Sequence, residues 1–536
     1  MTHPNLTAAM GLSDFYPHRP QTVTLLQTHI SFIFIAGDMV YKVKKSVNYG
    51  FLDFTSLEKR HHFCLEELRL NRRLAPEIYL DVVEICENEN GRLVMGPGPR
   101  VVEYAVRMKR IPEEGMLKRL IALKEADISI MDRVARKLAD FHRQAETGGQ
   151  IDQIGSLETI RMNHDENFNQ TESYIDRSIP GYQFRFIKNY VHCFLADREA
   201  LFRRRTAEHR IRDCHGDLHL EHICRMEDTI VIFDCIEFNE RFRYEDVAAE
   251  VSFLSMDLDY NGYPEWGKAF VKAYIDHAGD SEIRTLLNFY KCYYAYVRGK
   301  VIGFRMDDKA IPADDREAAQ KTAASYFDLA YTYAARLEKP ALILTCGLIG
   351  TGKSLLARNI GPRLGADIIR TDVLRKEILN IRPEERHFED FGKGIYADDI
   401  SAQTYKRALE IAGKMLQEGR SVIVDASFKK REERKNAADL ARRIGADFFV
   451  IECTCPDEEV KTRLEARMLK KGEASDGRWE IYRDQKTSFE RISEFGDDVY
   501  VVIRTSQRRE LSMNEALTAI KSRLAGRLAP KKTLRL

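Results

Sequence analysis

The stretch Ala341-Leu-Ile-Leu-Thr-Cys346 is followed at once by Gly347-Leu-Ile-Gly-Thr-Gly-Lys-Ser354. The first six residues are mostly apolar, come directly after Pro340 and predict a buried strand. A strand that runs into Gly-x4-Gly-Lys-Ser and leaves as a helix is the context in which backbone N–H groups surround phosphate oxygens. The two stretches together therefore predict an α/β domain that binds a nucleoside triphosphate.

The motif assigns a role to each of its fixed positions. Its glycines allow tight backbone turns, Lys353 reaches the β- and γ-phosphates, and the Ser354 hydroxyl is placed to bind Mg²⁺. The residues predicted to hold the nucleotide are Gly347, Gly350, Thr351, Gly352, Lys353 and Ser354. We therefore expect ATP or GTP, together with Mg²⁺, as the cofactor of this domain.

The composition of the chain limits the classes of partner. The chain has 536 residues, of which 44% are hydrophobic and 31% charged, with a formal net charge of +1. A near-neutral balance gives no general attraction to nucleic acid or to a membrane surface. No apolar run reaches the roughly 18 residues of a membrane span, and the first residues lack a signal-peptide pattern. Ten cysteines without a CxxC pair favour reduced thiols, so we expect a cytoplasmic protein.

After the motif, apolar runs alternate with amphipathic stretches of helix length. The runs cover residues 366–371, 421–427, 448–454 and 499–504. Continuous apolar runs are typical of parallel strands that helices cover on both faces. This order predicts an α/β domain with a parallel sheet over residues 340–530.

Two carboxylates are predicted at the carboxyl edge of this sheet. Asp425 ends the run Val422-Ile-Val-Asp425, where a carboxylate can act on Mg²⁺ or its waters. Asp372 follows the preceding run and could take the proton of a hydroxyl that attacks the γ-phosphate. A helix N-cap is the alternative role for each. Arg375, one helical turn after Asp372, could hold an anionic group of a substrate.

Several arginines follow farther along the chain. Arg463 and Arg467 lie four residues apart, and Arg478 ends the segment Ser475-Asp-Gly-Arg478. Arginines on a lid can neutralise the charge that develops on a transferring phosphoryl group. A solvated helix face is the alternative explanation for the pair.

These elements, in this order, resemble the P-loop small-molecule and polynucleotide 5′-hydroxyl kinases, a group that includes zeta-toxin-like and gluconate-kinase-like proteins. The resemblance covers about residues 340–530. It implies a phosphotransferase with Asp372 as the base, Lys353 on the phosphates, and Arg463 and Arg467 as lid residues. It does not identify the acceptor.

A second set of polar residues lies in the N-terminal half. It consists of His215-Gly-Asp-Leu-His219 and, downstream, Phe233-Asp-Cys-Ile-Glu-Phe238. A carboxylate on a loop, then a short apolar strand that ends in a second carboxylate, is the layout of eukaryotic-type kinases. The set resembles the aminoglycoside phosphotransferase and choline kinase superfamily. The resemblance implies Asp217 as catalytic base, Asp234 as metal ligand and Asp246 as the structural carboxylate that supports the loop.

The first part of the chain is similar to the same family. Apolar runs at Ser31–Ala36 and 39–43 flank Gly37-Asp38, which is a hairpin signal. Lys42 lies where the family carries its phosphate-binding lysine, and Glu67 could pair with it. Lys44 projects from the same strand face, so the assignment between the two lysines stays open. An exposed strand lysine is the alternative for either.

One position departs from the family. The family carries an Asn five residues after the catalytic Asp as second Mg²⁺ ligand, and this chain has His222 there. An imidazole suits Mn²⁺ or Zn²⁺ better than Mg²⁺, so altered metal use, weakened catalysis and a pseudokinase are the three alternatives. A zinc site is a further alternative, although the spacing matches no standard module. Its candidate ligands are Cys214, His219, His222, Cys224 and Cys235.

The predicted fold class has two domains: an α+β bilobal, protein-kinase-like domain over residues 1–330 and the α/β P-loop domain over 340–530. As a whole this resembles bacterial fusions of an aminoglycoside phosphotransferase-like domain with a P-loop ATPase domain. Between them the sequence predicts a loop over 306–317 and a helix that ends at Lys339-Pro340.

Three hypotheses about function follow. The first is an enzyme with two ATP-dependent sites that phosphorylate hydroxyl groups of small molecules. The second is a nucleotide-sensing regulatory protein whose N-terminal domain is a pseudokinase. The third is a nucleic-acid 5′-hydroxyl kinase, and the neutral overall charge counts against it.

Overall fold

A computed structural model describes residues 3–309, 311–382, 394–468 and 478–528. The strands, numbered along the chain, are β1 Val23–Gln27, β2 Ser31–Ala36, β3 Met39–Lys44, β4 Tyr79–Glu87, β5 Leu93–Met95, β6 Arg100–Lys109, β7 Ile211–Asp213, β8 Ile223–Met226, β9 Thr229–Ile232, β10 Tyr244–Asp246, β11 Ala341–Cys346, β12 Ala366–Arg370, β13 Ser421–Asp425, β14 Asp447–Thr454 and β15 Tyr500–Arg504.

The α-helices are α1 Leu6–Met10, α2 Leu57–Asn71, α3 Leu117–Ala122, α4 Ile130–Gln144, α5 Gln150–Ile154, α6 Leu157–Thr171, α7 Gly181–Asp197, α8 Glu199–Ala207, α9 Val247–Tyr260, α10 Pro264–Ala278, α11 Ile283–Gly303, α12 Ala313–Ala335, α13 Lys353–Leu364, α14 Thr371–Ile378, α15 Asp398–Gln417, α16 Arg431–Ile444, α17 Asp457–Met468, α18 Trp479–Ser488 and α19 Arg509–Leu528. In the described ranges, none of these helices is both long and apolar enough to cross a bilayer.

The chain divides into two compact units. The N-terminal unit comprises residues 1–169 and 198–297, and the P-loop unit comprises residues 170–197 and 298–536. The sequence-based ranges, 1–330 and 340–530, instead counted residues 170–197 and 298–330 with the first domain. These residues belong to the P-loop unit because α7 packs on α12 and α19, and α12 packs on α13.

The N-terminal unit is built on a six-stranded antiparallel sheet in the order β1-β2-β3-β6-β4-β5. The predicted hairpin of β2 and β3 is confirmed, and Gly37 turns it at φ +65°, a conformation that glycine adopts without strain. Strand alternation places Tyr41 and Val43 in a core that also holds residues of α1. Lys42 and Lys44 consequently lie on the opposite face of β3.

A loop over residues 214–222 lies between two small ribbons of the same unit. Strand β7, which precedes the loop, pairs antiparallel with β10. Strands β8 and β9, which follow it, form a hairpin with Ile223 opposite Ile232. The loop and the residue after β9, Phe233, are joined because the Phe233 N–H donates to the His222 carbonyl at 3.0 Å.

The P-loop unit contains a five-stranded sheet in the order β12-β13-β11-β14-β15. Every neighbouring pair of these strands is parallel, which confirms the predicted parallel sheet. All residues of β11 and β13 are buried, as continuous apolar runs under helices require. The four predicted runs correspond to β12, β13, β14 and β15.

Helix α12 begins inside the stretch predicted as a loop, so that prediction is wrong from residue 313 onward. Pro312 is the N-cap residue, and Asp314 and Asp315 lie in the first turn. Carboxylates there complement the partial positive charge of a helix N-terminus, which explains an early start in a polar sequence. The helix ends at Ala335 rather than at Lys339-Pro340.

Candidate active sites

The loop between β11 and α13 lines a cavity of about 160 Å³ in the P-loop unit. Gly347, Gly350 and Gly352 have φ values of +127°, +79° and +88°. Residues other than glycine rarely adopt such backbone angles. In addition, a Cβ on Gly347 would lie 2.5 Å from the Cys453 carbonyl oxygen. Thr351 braces the loop from within, because its hydroxyl donates to the Leu348 carbonyl at 2.7 Å.

Lys353, Ser354 and Asp425 line this cavity together. The Lys353 ammonium donates to the Leu348 carbonyl at 2.8 Å. Burial lowers the pKa of Lys353, although Asp425 opposes the shift. Burial raises the pKa of Asp425, against the hydrogen bond from Ser354 and the charge of Lys353. Ser354 and Asp425 thus present oxygen atoms of the kind that Mg²⁺ prefers, beside a cation for phosphate.

Asp372 lines the same cavity from the first turn of α14. The N-cap residue of α14 is Arg370 and that of α16 is Lys430, so neither Asp372 nor Asp425 has the alternative capping role. The Thr371 hydroxyl donates to the Asp425 carbonyl at 3.1 Å and ties α14 to the end of β13. The two carboxylates predicted for the sheet edge are therefore both at the cavity.

The predicted lid arginines occupy different places. Arg467 lines the cavity. Arg463 is not among its described lining residues, because its guanidinium donates to the Thr505 carbonyl at 2.7 Å and to Glu459 at 2.6 Å. Arg478 is also outside the described lining, and residues 475–477 lie outside the described part of the chain.

In the N-terminal unit, Lys42 lies between two carboxylates. Its ammonium is 2.8 Å from Glu67 Oε1 and 2.7 Å from Asp234 Oδ1. Burial alone would lower the pKa of Lys42, but Asp234 and then Glu67 outweigh it and raise the pKa well above its usual value. Lys44 is more deeply buried and pairs with Glu67 and Glu237. Of the two lysines left open by the sequence, Lys42 is therefore the one beside Asp234.

Asp234 is held in an uncommon backbone conformation after β9. Its φ is +63°, in the left-handed region that residues with a side chain seldom occupy. The Asp234 N–H donates to the Tyr79 hydroxyl at 3.1 Å, and the next N–H, of Cys235, donates to Asn71 Oδ1 at 2.9 Å. Burial would raise the pKa of Asp234, but the Lys42 ammonium holds it well below the usual range. Sequence reasoning missed Tyr79 and Asn71, although Asn71 lies one turn after Glu67.

His222 faces Asp234 with one ring nitrogen. Its Nδ1 lies 2.8 Å from the Asp217 carbonyl oxygen, which can only accept, so Nδ1 carries the proton. The Nε2 lone pair then faces Asp234 Oδ2 at 3.5 Å. Burial lowers the pKa of His222 and favours the neutral imidazole. Metal-binding histidines commonly use their second nitrogen in this way, so His222 and Asp234 could share one divalent ion.

His219 is less suited to bind a metal. The Glu221 N–H donates to His219 Nδ1 at 3.3 Å, so the proton of the neutral ring is on Nε2, which faces Asp217 Oδ2 at 3.6 Å. Asp217, His219 and His222 lie close enough to be considered as a metal-binding group, but the nitrogens nearest Asp217 both carry protons. The described candidate groups do not combine His219 or His222 with a cysteine.

The loop that carries Asp217 is supported by Glu250 rather than by Asp246. Glu250 Oε1 accepts from the N–H groups of His215 at 2.7 Å and Gly216 at 2.9 Å. Asp246 instead caps α9 and pairs with Arg205, so the supporting role implied by the family resemblance is corrected. Glu250 was missed because it lies on α9, outside any motif.

Part of the C-terminal region matches a protein-family model. Residues 342–492 match a family model described as an AAA domain. This range includes four of the residues that line the cavity described above, namely Lys353, Asp372, Asp425 and Arg467. The resemblance of the C-terminal region to P-loop proteins is thereby confirmed.

Relatives extend over most of the chain. An uncharacterized protein of Mycobacterium tuberculosis (strain ATCC 25618 / H37Rv) is 29% identical over 458 residues, which are 85% of this chain and 89% of that protein. A choline/ethanolamine kinase family protein from Mesorhizobium loti has a TM-score of 0.36 at 13% identity, covering 61% of this chain and 99% of that one. A gluconokinase from Sinorhizobium meliloti 1021 has a TM-score of 0.26 at 22% identity, covering 35% and 95%.

Proposed function

We propose that the P-loop unit transfers the γ-phosphate of ATP or GTP to a hydroxyl group of a small molecule. The observation that carries the proposal is the presence of Lys353, Ser354, Asp425 and Asp372 around one cavity. The first of these is a cation for phosphate, the next two are oxygen ligands for Mg²⁺, and Asp372 is a carboxylate that can accept a proton. Phosphoryl transfer requires these parts in this proximity.

The chemical step follows from these positions. The acceptor hydroxyl donates its proton to Asp372 as its oxygen forms a bond to the γ-phosphorus. The bond between the γ-phosphorus and the β–γ bridging oxygen breaks, and the nucleoside diphosphate leaves. Lys353 and Arg467 offset the negative charge on the transferring group. Ser354 and Asp425 would hold Mg²⁺, which would neutralise phosphate charge. The near-zero net charge of the chain supports a small acceptor rather than a nucleic acid. The ten cysteines without a CxxC pair support a cytoplasmic location.

For the N-terminal unit we propose a second nucleotide site, with Lys42 and Glu67 on the phosphate side, Asp234 and His222 on the metal, and Asp217 as the base. One observation favours a regulatory role for it. Lys42 pairs with Asp234 at 2.7 Å, so the cation for phosphate and the carboxylate for metal neutralise each other. A nucleotide must separate this ion pair in order to bind, so its binding changes the contacts within the site. Such a change suits a nucleotide sensor, whether or not the site also transfers a phosphoryl group.

Acceptor-dependent release of ADP by the full chain tests the proposal. Wild type is compared with Asp372→Asn, Asp217→Asn and, as matched control, Asp439→Asn, an aspartate that pairs with an arginine three residues later, as Asp372 does. We expect Asp372→Asn to lower transfer by about 10²- to 10⁴-fold, the usual contribution of a general base. Full activity in Asp372→Asn together with loss in Asp217→Asn would assign the reaction to the other unit.

A further inference from the structure

The N-terminal unit carries an open groove of about 450 Å³. Helix α4, the hairpin of β8 and β9 and the segment after α2 contribute its lining. The residues assigned above to the nucleotide site of this unit are not among the described lining residues. A concave site of this size is large enough for a small molecule. The groove therefore needs an explanation from its own residues.

The charged side chains of the groove are mostly cationic. They are four cations and two carboxylates, namely Arg73, Arg133, Arg136, Lys137, Asp140 and Asp228. Asp140 also pairs at 2.7 Å with Arg143, which is outside the described lining, so its charge is already offset. The formal net charge of the whole chain is only +1, so the excess of cations is local. The groove consequently attracts anions.

Lys137 is a partly buried cation of this groove. Its ammonium forms no hydrogen bond or ion pair with another residue in the described part of the chain. Burial lowers the pKa of Lys137, against the negative charge of Glu77. An ammonium that has lost part of its hydration and has three N–H donors gains contacts when an oxyanion binds.

Two arginines lie on the same face of α4 as Lys137, because Arg133, Arg136 and Lys137 have i, i+3, i+4 spacing. The Arg133 guanidinium donates to the Asp228 carbonyl, a neutral oxygen that leaves its charge uncompensated. Arg136 lies 3.4 Å from Asp132, and the other oxygen of that carboxylate lies 2.8 Å from His277 Nε2. The three cations can therefore act on one anion together.

Arg73 relates the groove to the loop that carries Asp217. Its guanidinium lines the groove and donates to the Asp213 carbonyl at 2.8 Å and to the Cys214 carbonyl at 3.1 Å. These two residues are the end of β7 and the start of the loop over residues 214–222. An anion that attracts Arg73 competes with both carbonyls. Occupation of the groove should therefore loosen the start of the loop.

We propose that this groove binds the phosphate group of a small molecule through Lys137, Arg136 and Arg133, and that Arg73 transmits binding to the loop of Asp217. A phosphate suits the groove better than a carboxylate does, because its charge and its several oxygens match several cations at once. Free inorganic phosphate and a phosphate monoester share this chemistry, and the experiment distinguishes them. The site is independent of phosphoryl transfer at either nucleotide site.

Hydrogen exchange measured by mass spectrometry on the full chain tests the proposal. The probes are inorganic phosphate and glucose 6-phosphate at constant ionic strength, with glucose as the uncharged control. We expect slower exchange in peptides that cover residues 133–144 and 227–232 with at least one of the two phosphates, and no change with glucose. Tighter binding of glucose 6-phosphate identifies a monoester as the ligand, and tighter binding of inorganic phosphate identifies the free ion. Unchanged exchange in these peptides with both phosphates would refute the site.

Variants of the groove give the affinity test. Lys137→Met should weaken phosphate binding, followed in the same peptides, by at least about tenfold, the loss expected for a charged hydrogen bond. Arg136→Met should act in the same direction, and its side chain is 63% exposed, so this variant keeps the fold if Lys137→Met is unstable. Lys268→Met is the matched control, because Lys268 lies on α10 of the same unit and is 69% exposed. Equal affinities in wild type and both groove variants would overturn the proposal.

The transmission by Arg73 has its own readout. In wild type, phosphate should speed hydrogen exchange over residues 213–217, because Arg73 then holds the start of the loop less tightly. In Arg73→Lys the groove peptides should still respond to phosphate, whereas residues 213–217 should not, since an ammonium cannot bridge the two carbonyls as a guanidinium does. A groove that binds phosphate in wild type without any change over residues 213–217 would reject the transmission.

Discussion

Lys353 and Lys42 have the same predicted role in the two units, but they have different partners. Lys353 donates to a backbone carbonyl, that of Leu348, at 2.8 Å. Lys42 forms ion pairs with Glu67 and Asp234 at 2.8 and 2.7 Å. A triphosphate therefore replaces a neutral oxygen at one site and competes with carboxylates at the other. The comparison indicates that the P-loop unit is prepared for nucleotide, whereas the N-terminal unit must first separate a charge pair.

The pKa shifts differ in the same sense. At the P-loop cavity burial dominates, so it lowers the pKa of Lys353 and raises that of Asp425. Around Lys42 opposite charges dominate over burial, so the pKa of Lys42 is raised and those of Glu67 and Asp234 are lowered. Replacing a charged side chain by a neutral one should therefore change the free energy of unfolding little at the P-loop cavity and strongly around Lys42.

The largest expected difference is in stability. Glu67 is fully buried between Lys42 and Lys44, and Glu67→Gln leaves both ammonium groups with one carboxylate fewer. We expect a loss of about 3–5 kcal/mol in the unfolding free energy of the N-terminal unit, the usual cost of breaking a buried pair. Denaturant-dependent hydrogen exchange on the full chain, resolved by peptide, measures it.

Asp425→Asn is the comparison variant for the P-loop unit. Because burial already favours the neutral form of Asp425, we expect a change below about 1 kcal/mol. Similar losses in the two variants would contradict the proposed difference between the sites.

A second difference should appear on acidification. His215 is fully buried, and burial lowers its pKa to about 4. The unfolded chain, with a His pKa near 6.5, binds a proton first as the pH falls, so stability is lost between about pH 6.5 and 4, by up to about 3 kcal/mol. The described part of the P-loop unit contains one histidine, His192, and its side chain is exposed. Hydrogen exchange at pH 7 and 5, corrected for intrinsic rates, should show loss of protection around residues 213–223. Equal losses in both units would argue against the role of His215.

The smallest expected effect concerns the metal. If His222 Nε2 and Asp234 share an ion, His222→Asn should lower the affinity for Mn²⁺ relative to that for Mg²⁺ by about tenfold, because an amide oxygen replaces a nitrogen ligand. Electron paramagnetic resonance of Mn²⁺ with nucleotide, in a Lys353→Ala background, measures this. His219→Asn is the control, since Asn can also accept from the Glu221 N–H and His219 is not assigned to the metal. If the relative affinity for Mn²⁺ and Mg²⁺ changed in His219→Asn but not in His222→Asn, His219 rather than His222 would be the metal ligand.

The P-loop unit was more predictable from sequence than the N-terminal unit. Its strand, glycines and Asp425 lie in short segments whose periodicity and motif are local. The N-terminal site depends on contacts between distant positions, such as Lys42 and Asp234, which are 192 residues apart. Neither the support of the loop by Glu250 nor the proton position on His222 leaves a local signal. The membership of residues 170–197 in the P-loop unit was also missed, because it depends on packing against α12 and α19.

The affinity of the full chain for MgATP in two lysine variants tests the central claim most directly. If the P-loop cavity is the prepared site, calorimetry should show a tighter and a weaker class of nucleotide binding in wild type. Lys353→Ala should weaken the tighter class by about 10- to 100-fold, as expected for loss of a charged hydrogen-bond donor. Lys42→Met should leave the tighter class unchanged. Loss of the tighter class in Lys42→Met, with unchanged binding in Lys353→Ala, would contradict the account.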